Sequence, residues 1–304
     1  MVNQSHAQHA FKSGFVSLIG PPNTGKSTLL NRIVGQKVSI TSPRPQTTRN
    51  RILGIWHGEP AQIIFIDSPG IHKASKRLNR KMVRTALLTF EEADIILVMV
   101  DAVTTGLGDE DMQMIMGHLR GVSCPVFLII NKIDLIPKPR ILELIDVYKD
   151  LHPFREIIPV SALTGENCSD VVDTIIAYLP EGPPLYPEDM VTDQPERFVV
   201  AEIIREKLIA LTRQEIPYVM AVVIDEMGTD PQTGMVRISA TILVEKESQK
   251  GIVIGSRGVK LKEVGRMARE EIERLLGTKV FMELWVKVAR NWRENELVLK
   301  QIGY

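Results

Sequence analysis

Residues 15–27 read Phe15-Val16-Ser17-Leu18-Ile19-Gly20-Pro21-Pro22-Asn23-Thr24-Gly25-Lys26-Ser27. A short apolar run leads into a glycine-bounded loop, and the loop opens a helix-prone run, Thr28 to Ile33. Strand, loop and helix in that order form a phosphate cradle. Backbone N–H groups point inward at a helix N-terminus, Lys26 reaches the outer phosphates, and the Ser27 hydroxyl can ligate Mg²⁺. The Gly-x-x-x-x-Gly-Lys-Ser pattern can arise by chance, but much less easily between a strand and a helix.

From Phe15 to about Leu179, short β-branched runs alternate with helical patterns. The spacing predicts strands at Phe15–Ile19, Ile52–Trp56, Ile63–Ile66, Ile95–Val100, Val126–Ile130 and Ile157–Val160. It predicts helices near Lys26–Val34, Asn79–Thr89, Glu110–Leu119, Lys138–Asp150 and Val171–Leu179. That alternation argues an α/β fold with a mostly parallel six-stranded sheet covered on both faces. Such sheets bind ligands beyond the carboxyl ends of their strands, so the loops after the strands should carry the chemistry.

The loop after the third strand is Asp67-Ser68-Pro69-Gly70, followed by Ile71. Asp67 can hold a Mg²⁺ shell, and the Gly70 N–H can sense a γ-phosphate. After the fifth strand comes Asn131-Lys132-Ile133-Asp134. The Asp134 carboxylate can accept from both N1–H and N2–H of guanine, a donor pair that adenine lacks. Lys132 can lay its stem along the base, and Asn131 can tie this loop to the phosphate loop. Ser161-Ala162-Leu163 follows the sixth strand, with the Ala162 N–H placed to reach guanine O6. Gln46-Thr47-Thr48-Arg49 precedes the second strand. Thr48, in preference to Thr47, is expected to join the Mg²⁺ shell when a γ-phosphate holds the segment. The ligand set for Mg²⁺ is thus Ser27, Thr48 and Asp67, and Lys26 and Gly70 complete the candidate catalytic group. The basic stretch from Ile71 to Arg84 fits either an anionic partner or a solvated surface.

At 304 residues, 44% hydrophobic and 24% charged, the chain has the make-up of a two-domain globular protein. No apolar run approaches the ~20 residues that span a bilayer. Met1–Lys12 is polar, without an apolar signal core, so export is not expected. Cys124 and Cys168 lack metal-ligand spacing and read as reduced thiols of a cytoplasmic protein. The net charge of zero hides an asymmetry: Lys246–Lys300 holds 13 Lys/Arg against 8 Asp/Glu. A polyanionic partner for the second half is the implication.

The reading divides the chain into a flexible tail (1–13), a nucleotide-binding domain (14–180), a proline-rich semi-rigid linker (181–195), a second domain (196–290) and a C-terminal tail or helix (291–304). In the second domain a helix, Glu196–Thr212, precedes strands Tyr218–Glu226 and Met235–Val244. Then come Lys250-Gly251-Ile252-Val253-Ile254-Gly255-Ser256-Arg257-Gly258, a basic helix carrying Lys260 and Lys262, and a last strand, Lys279–Val288. Gly255 and Gly258 let a helix-turn-helix loop approach a nucleic-acid backbone, Arg257 and the helix N-terminus favour phosphate, and Ile252, Val253 and Ile254 would line a groove for unstacked bases. Trp285 is expected in the core. Trp292, beside Arg290 and Arg293, fits either core or surface.

These elements together resemble the Era family of Ras-like bacterial GTPases. The first domain is similar to a small P-loop GTPase, with Pro22-Asn23-Thr24-Gly25-Lys26-Ser27 and Gln46-Thr47-Thr48-Arg49 closest to that family. The second is similar to a type II KH domain. Glu202–Lys207, Glu215–Tyr218, Glu283–Val288 and Ile302–Tyr304 extend the resemblance to the end of the chain. Two departures, Pro21 and Thr24 where Arg and Val are commoner and Ser68 for Thr, cost no ligand. Where Ras-like enzymes place a water-orienting Gln, Ile71 stands. The resemblance implies slow Mg²⁺-dependent GTP hydrolysis, and adds Asn23 to the catalytic group as the holder of a potassium ion. It further implies binding to the 3′ end of 16S ribosomal RNA in assembly of the 30S subunit, and peripheral contact with the cytoplasmic membrane. The chain is read as a monomer.

Overall fold

The computed structural model describes residues 10–71, 77–104 and 110–302. The chain divides into two units: Met1–Val38, Arg51–Lys73 and Thr85–Asp193 make the first, and Ser39–Asn50, Ala74–Arg84 and Gln194–Tyr304 the second. Met1 to His9, which would be most of the tail, lie outside the described residues.

Six strands build the first unit: β1 (Lys12–Ile19), β2 (Ile52–Gly58), β3 (Ala61–Asp67), β4 (Ile95–Asp101), β5 (Val126–Asn131) and β6 (Glu156–Val160). They lie in the order β2-β3-β1-β4-β5-β6, all parallel except β2, which pairs antiparallel with β3. The helices are α1 (Lys26–Val34), α2 (Arg77–Glu92), α3 (Glu110–Leu119), α4 (Lys138–Tyr148) and α5 (Cys168–Tyr178). Strand β4 shows why both faces are covered. Ile95, Leu97 and Met99 join Leu29, Leu30, Val171 and Ile175 of α1 and α5 in one cluster. Ile96, Val98 and Val100 join Met112, Ile115, Leu144 and Tyr148 of α3 and α4 in another. A continuous apolar run with period-two alternation thus feeds two cores.

Two sequence expectations change here. β1 begins at Lys12, inside the stretch read as a tail, because Lys12 and Ser13 continue the ladder opposite Ala61 and Gln62. The proline-rich segment is a strap on the first unit. Val191 accepts from the Ile55 N–H at 2.9 Å, and the Gln62 side-chain oxygen accepts from the N–H groups of Leu185 and Tyr186 at 2.7 and 3.0 Å. Tyr186 and Met190 cover the apolar face formed by Leu53, Ile55, Ile64 and Ile66. β2 is an edge strand, and the strap satisfies part of that edge.

The second unit runs α6 (Glu196–Leu211), α7 (Ile216–Val219), β7 (Ala221–Thr229), β8 (Val236–Val244), α8 (Glu247–Ile254), α9 (Val259–Leu276), β9 (Val280–Val288) and α10 (Glu296–Gln301). Its sheet has the order β7-β8-β9, with β7 antiparallel and β9 parallel to β8. α8 and α9 form the crossover that the parallel pair requires. β7 starts three residues later than expected, since Pro217 sits in the first turn of α7.

In this unit two further expectations are corrected, for Trp285 and for Ser39–Asn50, and two open readings are resolved, for Trp292 and the C-terminal segment. Trp285 is 62% exposed: β9 alternates, Leu284 and Val286 face the core, and Trp285 falls on the opposite parity. Trp292 is fully buried and donates its indole N–H to the Val219 carbonyl at 2.9 Å. With Leu299 it packs on Leu78, Met82, Ala221, Val223 and Leu243, so of the two readings of the C-terminal segment, tail or helix, the structure has the helix, α10. Ser39–Asn50, placed by sequence in the first domain, belongs to the second unit, and Ile40 sits in that unit's core.

Candidate functional site

The phosphate loop needs glycine at both ends. Gly25 has φ 97° and a Cβ there would lie 2.2 Å from the Asn131 amide nitrogen; a Cβ on Gly20 would lie 2.4 Å from the Met99 carbonyl oxygen. Relieving either would mean moving the β4 backbone at Met99 or displacing the buried Asn131 amide at the end of β5. α1 starts immediately after Gly25, so its first N–H groups open toward the loop. Thr24 is buried and its hydroxyl donates to the Pro21 carbonyl at 3.1 Å. Asn23 is exposed at the loop tip with φ 66°.

Lys26 is buried, and its ammonium donates to the Gly20 and Pro21 carbonyls at 3.0 and 2.9 Å. Burial pushes its pKa down to about 8, with Asp67 opposing the shift. A phosphate group at the loop would restore the charged form. The Ser27 hydroxyl donates to the fully buried Asp67 carboxylate at 2.6 Å. One hydroxyl and one carboxylate, both hard oxygen donors, suit Mg²⁺, which keeps the rest of its octahedron for phosphate and water. Bound there, the ion would neutralise charge developing on the phosphates. The residues present therefore fit the metal. Thr48, the third expected ligand, belongs to the second unit; it is buried between Thr47 and Arg49.

Gly70 abuts the phosphate loop, since a Cβ on it would lie 2.8 Å from Pro22 backbone atoms. Its neighbours have other duties than the sequence suggested. The Ser68 hydroxyl donates to the Leu18 carbonyl at 3.0 Å, and the Ile71 side chain is fully buried in the sheet–helix core while its N–H donates to the Gly20 carbonyl at 3.3 Å. Both side chains are turned into the protein and anchor the loop. Ile71 also cannot orient water.

Asn131 joins three loops. Its amide donates to the Thr24 carbonyl at 2.8 Å, and its oxygen accepts from the Ala162 N–H at 2.9 Å. That N–H, expected to face guanine O6, is committed to Asn131. Lys132 has φ 69° and pairs with Asp101 at the end of β4 at 2.5 Å. Asp134 is exposed in a short 3-10 turn, Ile133–Leu135, whose Ile133 is buried. Arg32 of α1 holds the Ser161-Ala162-Leu163 loop by donating to the Ala162 and Leu163 carbonyls, and Leu163 is 68% exposed. Sequence reading missed Asp101 and Arg32. Asp101 sits at a strand end, the one signal that would have singled it out; Arg32 carries none, being an ordinary helix cation.

In the second unit the turn is built as the glycines demand. Gly255 has φ 74°, and a Cβ there would meet Lys260 Cβ at 2.7 Å; Gly258 has φ 77°. Arg257 between them is exposed with φ 51°, and α9 begins at Val259. Ser256, Gly251 and Lys262 are exposed, with Lys250 and Lys260 half-buried. Val253 is fully buried in the core, which corrects its place in the apolar groove: only Ile252, 41% exposed, and the half-buried Ile254 remain there. Of the basic stretch after Gly70, Arg80 and Arg84 are exposed on α2, while Lys73 and Lys76 lie outside the described residues.

The segment Ser39–Asn50 is held within the second unit by charged bonds that sequence reading also missed. Arg49, 4% exposed, donates to the Met220 and Pro217 carbonyls at 2.9 and 3.0 Å. Arg205, paired with Glu202, donates to the Thr47 carbonyl, and Glu206 accepts from the Thr41 N–H at 3.1 Å.

Residues 15–132 match the family described as "50S ribosome-binding GTPase", and residues 215–293 match the KH domain family. The chain is 53% identical to the GTPase Era of Geobacter metallireducens over 298 residues, covering 98% of this chain and 99% of the relative. It is 53% identical to GTPase Era of Syntrophus aciditrophicus over 294 residues, 97% and 95% of the two chains. A crystal structure of an Aquifex aeolicus Era variant bound to GDP·AlF4⁻ has a TM-score of 0.93 at 45% identity, covering 97% of this chain and 99% of that one. An Era structure in complex with MgGDPNP and nucleotides 1506–1542 of 16S ribosomal RNA reaches 0.94 at the same identity and coverage. Fold and site define a P-loop GTPase joined to a C-terminal KH domain. At this identity over nearly the whole length, the chain belongs to the Era family of GTPases.

Proposed function

We propose that this GTPase is a nucleotide-controlled RNA-binding protein that engages the 3′ end of 16S ribosomal RNA and assists assembly of the 30S subunit. The observation that carries the reading is the joining, in one chain, of a guanine-reading phosphate site and a basic GxxG turn. The similarity to an Era chain solved with 16S RNA supports the target.

Hydrolysis rests on positioning and charge. Lys26, the α1 N-terminus and the Gly70 N–H stabilise the phosphates, and Ser27 and Asp67 hold Mg²⁺, joined by Thr48 in the GTP state. With Ile71 buried in place of a water-orienting glutamine, intrinsic turnover is slow. The exposed Asn23 would hold a potassium ion, which would supply positive charge near the phosphates; exchanging potassium for sodium should slow turnover, and an unchanged rate removes that ion from the account. Asp134 selects guanine. The protein works in the cytoplasm as a monomer, with peripheral contact at the membrane face. Among the described residues no helix is long and apolar enough to cross a membrane.

Crosslinking to total ribosomal RNA, followed by sequencing, tests the target. One footprint at the small-subunit 3′ end supports it. Diffuse crosslinks across both subunits reduce the GxxG turn to a generic basic surface.

A further inference from the structure

We infer that the outward face of the second unit's sheet is a separate platform for unpaired RNA bases, centred on Trp285 and Phe281; the inference rests on the RNA-binding reading above. The inner face of this sheet is packed against helices in the core. Trp292 and Leu299 cover the outer face over Ala221, Val223 and Leu243, and on the remainder Trp285 is 62% and Phe281 47% exposed. They are four residues apart on β9, so the rings stand on one side of the strand about 13 Å apart. Register places Arg237 of β8 beside Phe281, and Thr241 beside Trp285. The Arg237 guanidinium lies over the Phe281 ring, 5.9 Å from its centroid.

Large exposed aromatics on a sheet, with a guanidinium plane between strands, are what unstacked bases stack on. The charges on this face decide how an RNA strand meets it. Arg237 and Lys287 stand at the two ends, while Glu283, Glu226 and Asp225 lie between, Asp225 accepting from the Thr241 hydroxyl at 2.7 Å. Carboxylates in the middle repel phosphates, so bases rather than backbone occupy the centre. Glu283, between the two rings, can accept from a base amino group.

The platform is a site apart from the GxxG turn: α9, which leaves that turn, packs on the inner face of the sheet through Val264, Ala268 and Ile272, while Phe281 and Trp285 stand on the other. A GxxG turn clamps about four nucleotides, far fewer than the ribosomal segment assigned to this chain, which leaves RNA to be held elsewhere.

The test compares full-length wild type with Trp285→Ala, Phe281→Ala and the double variant, on a six-nucleotide single strand and on the complete 3′-terminal segment. Their exposed positions make misfolding unexpected, and unchanged GTP hydrolysis verifies the fold. Trp285→Phe keeps a ring. Stacking predicts that the double variant loses about 10- to 100-fold on the long RNA and nothing on the hexamer. It also predicts an unchanged slope of log affinity against log salt, since no phosphate contact is removed, and affinity largely retained in Trp285→Phe. Equal affinity of wild type and double variant for the long RNA overturns the inference, as does an equal loss on both RNAs. If wild type binds neither RNA, the RNA-binding reading itself fails. If wild type binds both and the variants lose only a co-purifying protein, the face serves a protein partner and the inference is wrong.

Discussion

Asn131 donates its side-chain amide to the Thr24 carbonyl at 2.8 Å, fastening the base-reading loop to the phosphate loop. The same side chain accepts from the Ala162 N–H, so one residue sets the spacing of three nucleotide-contacting loops. Asn131→Ala would leave a buried carbonyl and a buried N–H without their partner, at about 1–3 kcal/mol each. Affinities for GDP and for a GTP analogue should fall together by about 10- to 100-fold, as read by titration with a fluorescent nucleotide. A loss confined to one nucleotide would show that Asn131 is not a shared clamp.

In the proposed reading Asp134 offers two acceptors to the two donors on guanine. Asp134→Asn turns one acceptor into a donor, which suits xanthine, whose C2 carries a carbonyl. Two charge-assisted bonds are at stake, so GTP affinity should drop by about 10² or more, while XTP gains. Competition between the two nucleotides measures the exchange. Equal losses for both would mean that Asp134 does not read the base.

Lys26 gives the site a pH dependence. Burial lowers its pKa to about 8, so the folded, nucleotide-free protein gives up this proton at lower pH than the unfolded chain does. Between about 8 and the ordinary lysine value the unfolded chain holds more protons, and stability contributed by this group rises with pH. Nucleotide binding works the other way: phosphate favours the charged lysine, so binding takes up a proton above pH 8 and weakens as pH rises. Calorimetry of GDP binding in buffers of different ionisation heat should show little uptake at pH 7 and close to one proton at pH 9. No uptake at pH 9 would mean that Lys26 is already charged in the free protein.

Arg49 and Arg205 anchor the residues on either side of Thr48. Arg49→Ala strands the Met220 and Pro217 carbonyls and should destabilise the second unit by about 2–5 kcal/mol, seen by chemical denaturation; Arg49→Lys, with a single ammonium, should recover part of this. Whatever arrangement the two units take, drawing Thr48 into a metal shell must act on these anchors. The ratio of GTP-analogue to GDP affinity should therefore change in Arg49→Ala at a temperature where it stays folded. An unchanged ratio counts against Thr48 as a ligand.

The strand–loop–helix around Lys26 and the loops ending at Gly70, Asp134 and Leu163 were legible because each joins a short motif to a strand end. An apolar run placed β4, and α9 was read as the basic helix that follows the Gly255–Gly258 turn. What was not legible depends on long-range packing. The parity that turns Trp285 outward is set by which β9 residues meet the helices, and aromatic composition is silent on that. Trp292 is buried because Val219, far earlier in the chain, offers it an acceptor. The proline-rich strap resembles a linker in composition, and only the apolar face of β2 and β3 explains why it folds back. Arg49 entered the sequence reading only as the residue after Thr48. Its two carbonyl acceptors lie about 170 residues downstream, beyond any local pattern.

The most direct test is the affinity of the intact protein for the 3′-terminal segment of 16S ribosomal RNA, measured at one salt concentration with a non-hydrolysable GTP analogue and again with GDP. A nucleotide-controlled RNA-binding GTPase binds more tightly with the analogue, by at least about fivefold, and by linkage the RNA raises analogue affinity by the same factor. Equal affinity in the two nucleotide states, with no effect of RNA on nucleotide binding, would contradict the account.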